Sequence, residues 1–174
     1  LFTAKVPFIS SNSGPSEYAV AQCNPYFFGV YQNDTYDEAA GVVANDSGYK
    51  KMVIIAPNYP AGKDHLGGFK RTYKGEVAEE IYTRVGQLDY AAELAQIRSA
   101  EPDAVFFFLP GAMGINFIKQ FKAAGLDKVQ LVAPGFSADQ DVINAVGEAM
   151  VGLQNTAHWT HDLDNATNKK FVAD

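Results

Sequence analysis

Cysteine is nearly missing. Cys23 is the one cysteine in 174 residues, which excludes an internal disulfide and leaves a free thiol or half of a bridge to something outside the chain. Long apolar runs are missing too: none approaches the roughly 20 residues that a membrane helix needs. Positive charge is scarce, with 14 Lys and Arg against 20 Asp and Glu and a formal net charge of -6. Lys70, Arg71 and Lys74 form the one tight basic cluster, and it reads as the solvated face of a helix. A chain without a basic patch is not built to hold phosphate backbones, so nucleic acid is excluded as a partner. Position 1 is Leu, with neither an initiating Met nor a signal-peptide pattern, so the chain reads as starting inside a mature protein or a fragment. What is abundant is hydrophobic residue, 47% of the total. That suffices for one good core, or for one domain plus pieces of another.

The first 49 residues are irregular. Val6 to Ile9 reads as the end of a buried strand and breaks into the polar loop Ser10 to Gly14, with a helix able to start at Pro15. Tyr18 to Ala21 reads as a short helix, and Tyr26 to Phe28 as a brief strand ended by Gly29. Asn33 or Asp34 caps a helix that presents Tyr36, Ala39, Ala40 and Val43 inward and stops at Gly48.

From Lys50 the pattern turns regular. Lys51 to Ala56 is a non-alternating apolar strand, buried on both faces. Ala78 to Val85, Ala104 to Leu109 and Val129 to Ala133 are further strands, and Val151 to Trp159 is a last extended run. Between them lie helices carrying Leu66, Phe69 and Tyr73; Leu94 and Ile97, capped by Asp89; and Ile115, Phe117, Ile118 and Phe121, stopped by Gly125. Asp139 or Asp141 opens another that ends near Gly147, and Asp164 or Asn165 opens the last. Alternating β-α units of about 25 residues mean a doubly wound, mostly parallel α/β sheet. Its carboxyl edge gathers the loops Asn58–Gly62, Leu109–Gly111 and Pro134–Ser137, which are Pro, Gly, aromatic and short polar with no charge at their centres. Ligands of such sheets sit at that edge, and the composition suits binding better than catalysis.

Catalytic patterns are weak. Gly62 to Phe69 has glycines at phosphate-loop spacing without the Lys-Ser/Thr pair that holds phosphate and magnesium. Gly135-Phe136-Ser137-Ala138-Asp139 approaches a nucleophile elbow but has Asp where the last Gly belongs. His158, His161 and Asp162 fall one ligand short of a closed metal site in an extended context, and His65 reads as solvent-facing. Glu79-Glu80 and Asp139/Asp141 have solvent and helix-dipole reasons for their places. Phe106 to Phe108 reads as core. No metal, cofactor or catalytic group is expected.

The order PFISSNSGPS, NPYFF, YKKMVIIAPNYPAGKDHLGGFK, AELAQIRSAEPDAVFFFLPG, FIKQFKAAGL, VINAVGEAMVGL and DLDNATNKKFVAD resembles the type I periplasmic solute-binding proteins, the branched-chain amino-acid receptors of ABC importers. The likeness runs along nearly the whole chain. It implies two α/β lobes closing on a ligand, with residues 1–49 part of the first lobe, 50–152 the second, and 153–174 crossing back. It also implies an internal fragment, a periplasmic or lipid-anchored location, and a membrane permease as partner.

Residue by residue, Ser11, Asn12, Ser13 and Gly14 match the first-lobe loop that holds a ligand carboxylate. Tyr59 matches an aromatic residue on the second-lobe rim. Pro110 lies in the loop where many members carry another aromatic; here it reads Leu-Pro-Gly. Amino-acid binders place a Glu after the proline at 134 to pair with the ligand's ammonium; here Gly135 stands there, followed by Phe136. A buried ammonium without a carboxylate would cost on the order of several kcal/mol. The resemblance therefore implies a carboxylate without an α-amino group. An aromatic acid (benzoate, phenylacetate or hydroxycinnamate type) stacking on Phe136, Tyr59 and Phe108 is favoured, a branched aliphatic keto-acid next. The alternative is a sensor or regulator's effector domain on the same fold. An enzyme on a similar sheet is disfavoured by the lack of a nucleophile–base pair. Unpaired apolar strand edges in residues 1–30 are expected to make the fragment self-associate.

Overall fold

The computed structural model describes residues 2–11, 16–30 and 35–174. The expected caps Asn33 and Asp34 and the site residues Asn12, Ser13 and Gly14 lie outside them.

Near the start, β1 (Phe8–Ser10) and β2 (Phe27–Gly29) form a parallel two-stranded sheet. The chain then runs α1 (Thr35–Asp46), β3 (Lys51–Pro57), α2 (Pro60–Thr72), β4 (Glu76–Thr83), α3 (Ala91–Ala100) and β5 (Ala104–Phe107). It continues through α4 (Ala112–Ala123), β6 (Gln130–Pro134), α5 (Gln140–Val146), β7 (Gln154–Thr156) and α6 (Ala166–Ala173). The second sheet has five strands in the order β4-β3-β5-β6-β7, every neighbouring pair parallel. This is the doubly wound α/β architecture that the alternation of apolar runs and helical stripes requires.

β3 lies inside the sheet between β4 and β5 because it is apolar on both sides, and Met52 to Ala56 have no solvent exposure. Its alternate residues feed two cores. Val53 and Ile55 join Val105, Phe107 and Leu131 beneath α3, α4 and α5, through Leu94, Ile97, Phe117, Phe121 and Val142. Met52, Ile54 and Ala56 join Ala104, Phe106, Phe108 and Val132 beneath α1 and α2, through Ala40, Ala44, Leu66 and Phe69. Phe106 stacks on Phe69 with ring centroids 4.5 Å apart. Full burial of such a ring is worth about 1.5–3 kcal/mol, so stacks like this one carry much of the sheet–helix adhesion.

The helix ends follow their sequence signals. Gly48 and Gly125 take φ of 79° and 69°, past the ends of α1 and α4, where a side chain would be strained. Of the paired alternatives, Asp139 caps α5 by accepting from the Val142 N–H, and Asn165 caps α6 by accepting from the Asn168 N–H. Asp89 accepts from the Ala91 N–H just ahead of α3.

Several expectations are corrected. β1 is not buried: Ile9 is 68% and Phe8 40% exposed, so its apolar composition does not reflect a covered face. The helix after Pro15 is a short 3-10 turn, Ser16–Ala19. β4 starts at Glu76 rather than Ala78, and a register shift against Met52/Val53 lets it pair from its first residue. The last extended run shrinks to Gln154–Thr156, with turns on both sides. Lys70 and Arg71 are not merely solvated, since they pair with Glu80 and Glu38 at 2.6 Å each.

The inward face of α1 also differs from the expected one. Asp37, Ala40, Gly41 and Ala44 are buried, at helical spacings of three and four, while Ala39 is exposed. The small residues let α1 press against α2: a Cβ at Gly41 would lie 2.7 Å from the Phe69 carbonyl oxygen. Asn45 ties the pair, donating from Nδ2 to the Thr72 carbonyl and accepting from the Lys74 N–H, both at 2.9 Å. α1 also touches β6 and β7, so this helix packs on the five-stranded sheet.

Candidate functional site

Parallel pairing puts the carboxyl ends of β3, β5, β6 and β7 on one edge. The winding reverses between β3 and β5: the chain leaves β3 into α2 on one face, and leaves β5 into α4 on the other. Such a switch point opens a crevice, and it is where α/β sheets receive ligands.

Aromatic side chains gather there. Tyr59, between Pro57 and the first turn of α2, stacks on Phe108, just past β5, with ring centroids 6.4 Å apart and planes 17° off parallel. Phe136, after β6, approaches Phe108 edge-on at 6.4 Å. Tyr59 and Phe136 are half-buried, and burial pushes the Tyr59 hydroxyl above its ordinary pKa. Pro110 is half-buried while Leu109 is fully buried, so the ring at this loop comes from Phe108. Phe108 continues the parity of Ala104 and Phe106, which turns it to the α2 face, and it is buried in the core there, as read for the whole Phe106–Phe108 run.

Gly135 opens a 3-10 turn, Gly135–Ser137. A Cβ there would meet the Ala157 methyl at 3.4 Å, ordinary contact, so the position tolerates a side chain and carries none. Ser137, the candidate nucleophile of the elbow-like stretch, is fully buried, and its Oγ accepts the Leu109 N–H at 2.8 Å. It therefore pins the β5 loop to the β6 loop. Ser11 is exposed at a bend after β1.

The loops at the rim are uncharged at their centres, but two titratable side chains reach it from the helices. His65 is not solvent-facing: its side chain is 12% exposed and its Nδ1 lies 2.6 Å from Oδ2 of Asp37, which is fully buried. The imidazole stacks on Phe108 with centroids 3.6 Å apart and meets Phe136 edge-on at 6.2 Å. α1 and α2, packed through Gly41, bring these two residues together from 28 positions apart. Their signal in the sequence is their phase. His65 stands three after Gly62 and four before Phe69, on the buried stripe of α2, and Asp37 heads the stripe Ala40-Gly41-Ala44. Tyr36, beside Asp37, has its hydroxyl pKa raised by burial and then by that carboxylate. Thr156, paired with Pro134 at the end of β7, holds a buried Oγ1 with no hydrogen-bond partner among the described residues.

Elsewhere, His158 and His161 are exposed, and the His158 ring lies 5.5 Å from that of Tyr36. Trp159 donates from Nε1 to Asn168 Oδ1 at 2.6 Å, and Asn168 Nδ2 reaches the carbonyls of His161 and Leu163, so this segment is knitted to α6. Among the described residues no group of three His, Cys, Asp or Glu is placed to hold a metal ion. Among them, too, no helix is long and apolar enough to cross a membrane. Cys23 is a free, exposed thiol.

A family profile described as periplasmic binding protein matches residues 1–174. Leu/Ile/Val-binding protein homolog 6 of Brucella melitensis is 30% identical over 177 aligned residues, which cover 96% of this chain and 44% of that protein. Two solved structures are solute-binding proteins of ABC transporters from R. palustris. One, in complex with benzoate, is 34% identical with a TM-score of 0.89, covering 98% of this chain and 48% of that one. The other, in complex with 4-hydroxybenzoate, is 27% identical with a TM-score of 0.89, covering 99% and 48%. The chain thus spans about half the length of the relatives it matches. With the parallel sheet, its switch-point rim and this match from first residue to last, the chain belongs to the periplasmic binding protein family.

Proposed function

We propose that this chain is the ligand-gripping portion of an extracytoplasmic solute-binding protein, which delivers a small carboxylate without an α-amino group to the permease of an ABC importer. The solute is an aromatic acid of the benzoate kind. The observation that carries this is the aromatic rim across the β3/β5 switch point, Tyr59 on Phe108 with Phe136 beside them, next to a residue 135 that has no side chain. Flat rings offer stacking area to a flat ligand. Gly135 leaves no carboxylate at the position where the family's amino-acid receptors use one for the ammonium. Two relatives at 34% and 27% identity were crystallised with benzoate and 4-hydroxybenzoate, which supports the same ligand class here.

In this reading the five-stranded body is one wall of a cleft, and Ser11, Asn12, Ser13 and Gly14, on the other, take the acid group. Tyr59, Pro110, Gly135 and Phe136 face the ring. Function is hinge closure around the solute, with no bond made or broken. The test is a thermal-shift screen of the intact protein with benzoate, 4-hydroxybenzoate, phenylacetate, a branched keto-acid and leucine. Saturation at about 100 times Kd adds about 2.7 kcal/mol. Benzoate-type acids are expected to raise Tm by several degrees and leucine to leave it unchanged. Stabilisation by leucine and by none of the acids contradicts the proposal.

A further inference from the structure

Asp37 and His65 are costly residues to keep at a rim otherwise made of phenyl rings. A fully buried carboxylate persists when its charge is met, and here the imidazole Nδ1 meets it at 2.6 Å. Two apolar side chains of similar volume would pack α1 on α2 without that demand. The pair is set at the rim: the His65 ring lies flat on Phe108 and edge-on to Phe136, beside the switch point between β3 and β5.

The hydrogen bond selects the tautomer of the neutral ring. An ionised Asp37 only accepts, so Nδ1 carries the proton, and in the neutral imidazole Nε2 presents a lone pair. None of the described residues hydrogen-bonds Nε2, while the side chain keeps 12% of its surface open. An acceptor held rigidly by a stack on one face and a carboxylate behind it is built for a donor on a molecule in the cleft.

We infer that the Asp37–His65 pair is a polar subsite whose Nε2 accepts a hydrogen bond from a hydroxyl on the ligand's ring, so that the solute is a hydroxylated aromatic acid. This rests on the aromatic-acid reading above. A second carboxylate on the ligand fits poorly, because it would share one imidazole with Asp37 at close range and like charges repel. A phenolic hydroxyl is neutral, donates one hydrogen bond and keeps the ring's faces free for Phe108, Phe136 and Tyr59.

The test is calorimetric titration of the intact protein with 4-hydroxybenzoate, with 4-fluorobenzoate, which is close in size but has no donor, and with phenylalanine. The wild type is expected to bind the hydroxy acid at least about tenfold tighter than the fluoro acid, the factor for one hydrogen bond in a dry site. In His65→Phe, which keeps a ring against Phe108, the two acids are expected to fall within about twofold of each other. Equal affinities in the wild type overturn the subsite, need no variant to fold, and leave the aromatic-acid reading standing. A preference that survives in His65→Phe overturns it too, by assigning the hydroxyl to another group. Binding of phenylalanine and of neither acid overturns the subsite together with the reading beneath it.

Discussion

Gly135 is the residue on which the ligand class turns. Its backbone is not left-handed, and an added Cβ would meet the Ala157 methyl at an unstrained 3.4 Å, so a larger residue fits sterically. Gly135→Glu therefore tests charge rather than shape. It is expected to weaken an aromatic acid by about tenfold through repulsion between carboxylates. Unchanged affinity for benzoate in this variant contradicts the assignment. At this scale legibility was uneven. Tyr59, Gly135 and Phe136 follow the strand-ending Pro57 and Pro134, so their place at the carboxyl edge of the sheet could be read off. His65 and Asp37 could not be read as buried, because each is polar and each lies on a different helix. Only the close approach of α1 and α2 at Gly41 takes both out of water. Phe108 was legible as core from its uniformly apolar run, and its place at the end of that run brings it against Tyr59 and Phe136.

At the scale of elements, the strands that were legible are the ones buried on both sides. Lys51–Pro57 announces itself by composition, since no amphipathic alternative fits an unbroken apolar run. β1 was misread for the same reason in reverse: the run Val6 to Ile9 looks like core, but burial depends on what lies over it, and Ile9 is open. The start of the central sheet is held by a polar device. Asp103, just ahead of β5, accepts the N–H groups of Lys51 and Lys50 at 3.0 and 2.7 Å, and these bonds hold its carboxyl below the usual carboxylate range. The folded state thus favours the ionised form. Its contribution is full above the unfolded carboxylate value of about 4 and is lost as pH falls through the lower folded value. Asp103→Asn is expected to cost about 1 kcal/mol at neutral pH, a figure kept small because water reaches the carboxylate. Urea unfolding of variant and wild type at neutral pH, and again below the folded pKa, checks it. The gap should narrow in acid, and a gap of equal size at both contradicts the assignment.

At the scale of the whole molecule, doubly wound topology was legible because alternation of strands and helices leaves few other folds. What alternation does not encode is which helix joins which body. α1 precedes the expected lobe boundary at residue 50, yet it packs on α2, β6 and β7. It is the packing of α1 on α2 that brings Asp37 to His65, so the same gap in the sequence reading hid both. The β1–β2 sheet leaves Ile9, Phe28 and Val30 more than half exposed, along with Val20 nearby. Apolar strand surface of this kind recruits other chains. The 174-residue chain expressed alone is therefore expected to run as a dimer or larger assembly in light scattering. A clean monomer at all concentrations contradicts this. The central claim is a cleft wall shaped for a ring that bears an acid group and no amine. A crystal structure of the intact protein with its tightest-binding solute tests it most directly. The account predicts an aromatic carboxylate with its ring in contact with Tyr59 and Phe136 and no protein carboxylate paired to the solute. A solute ammonium bound to a carboxylate side chain at this rim, or a solute bound away from the β3/β5 edge, would contradict it.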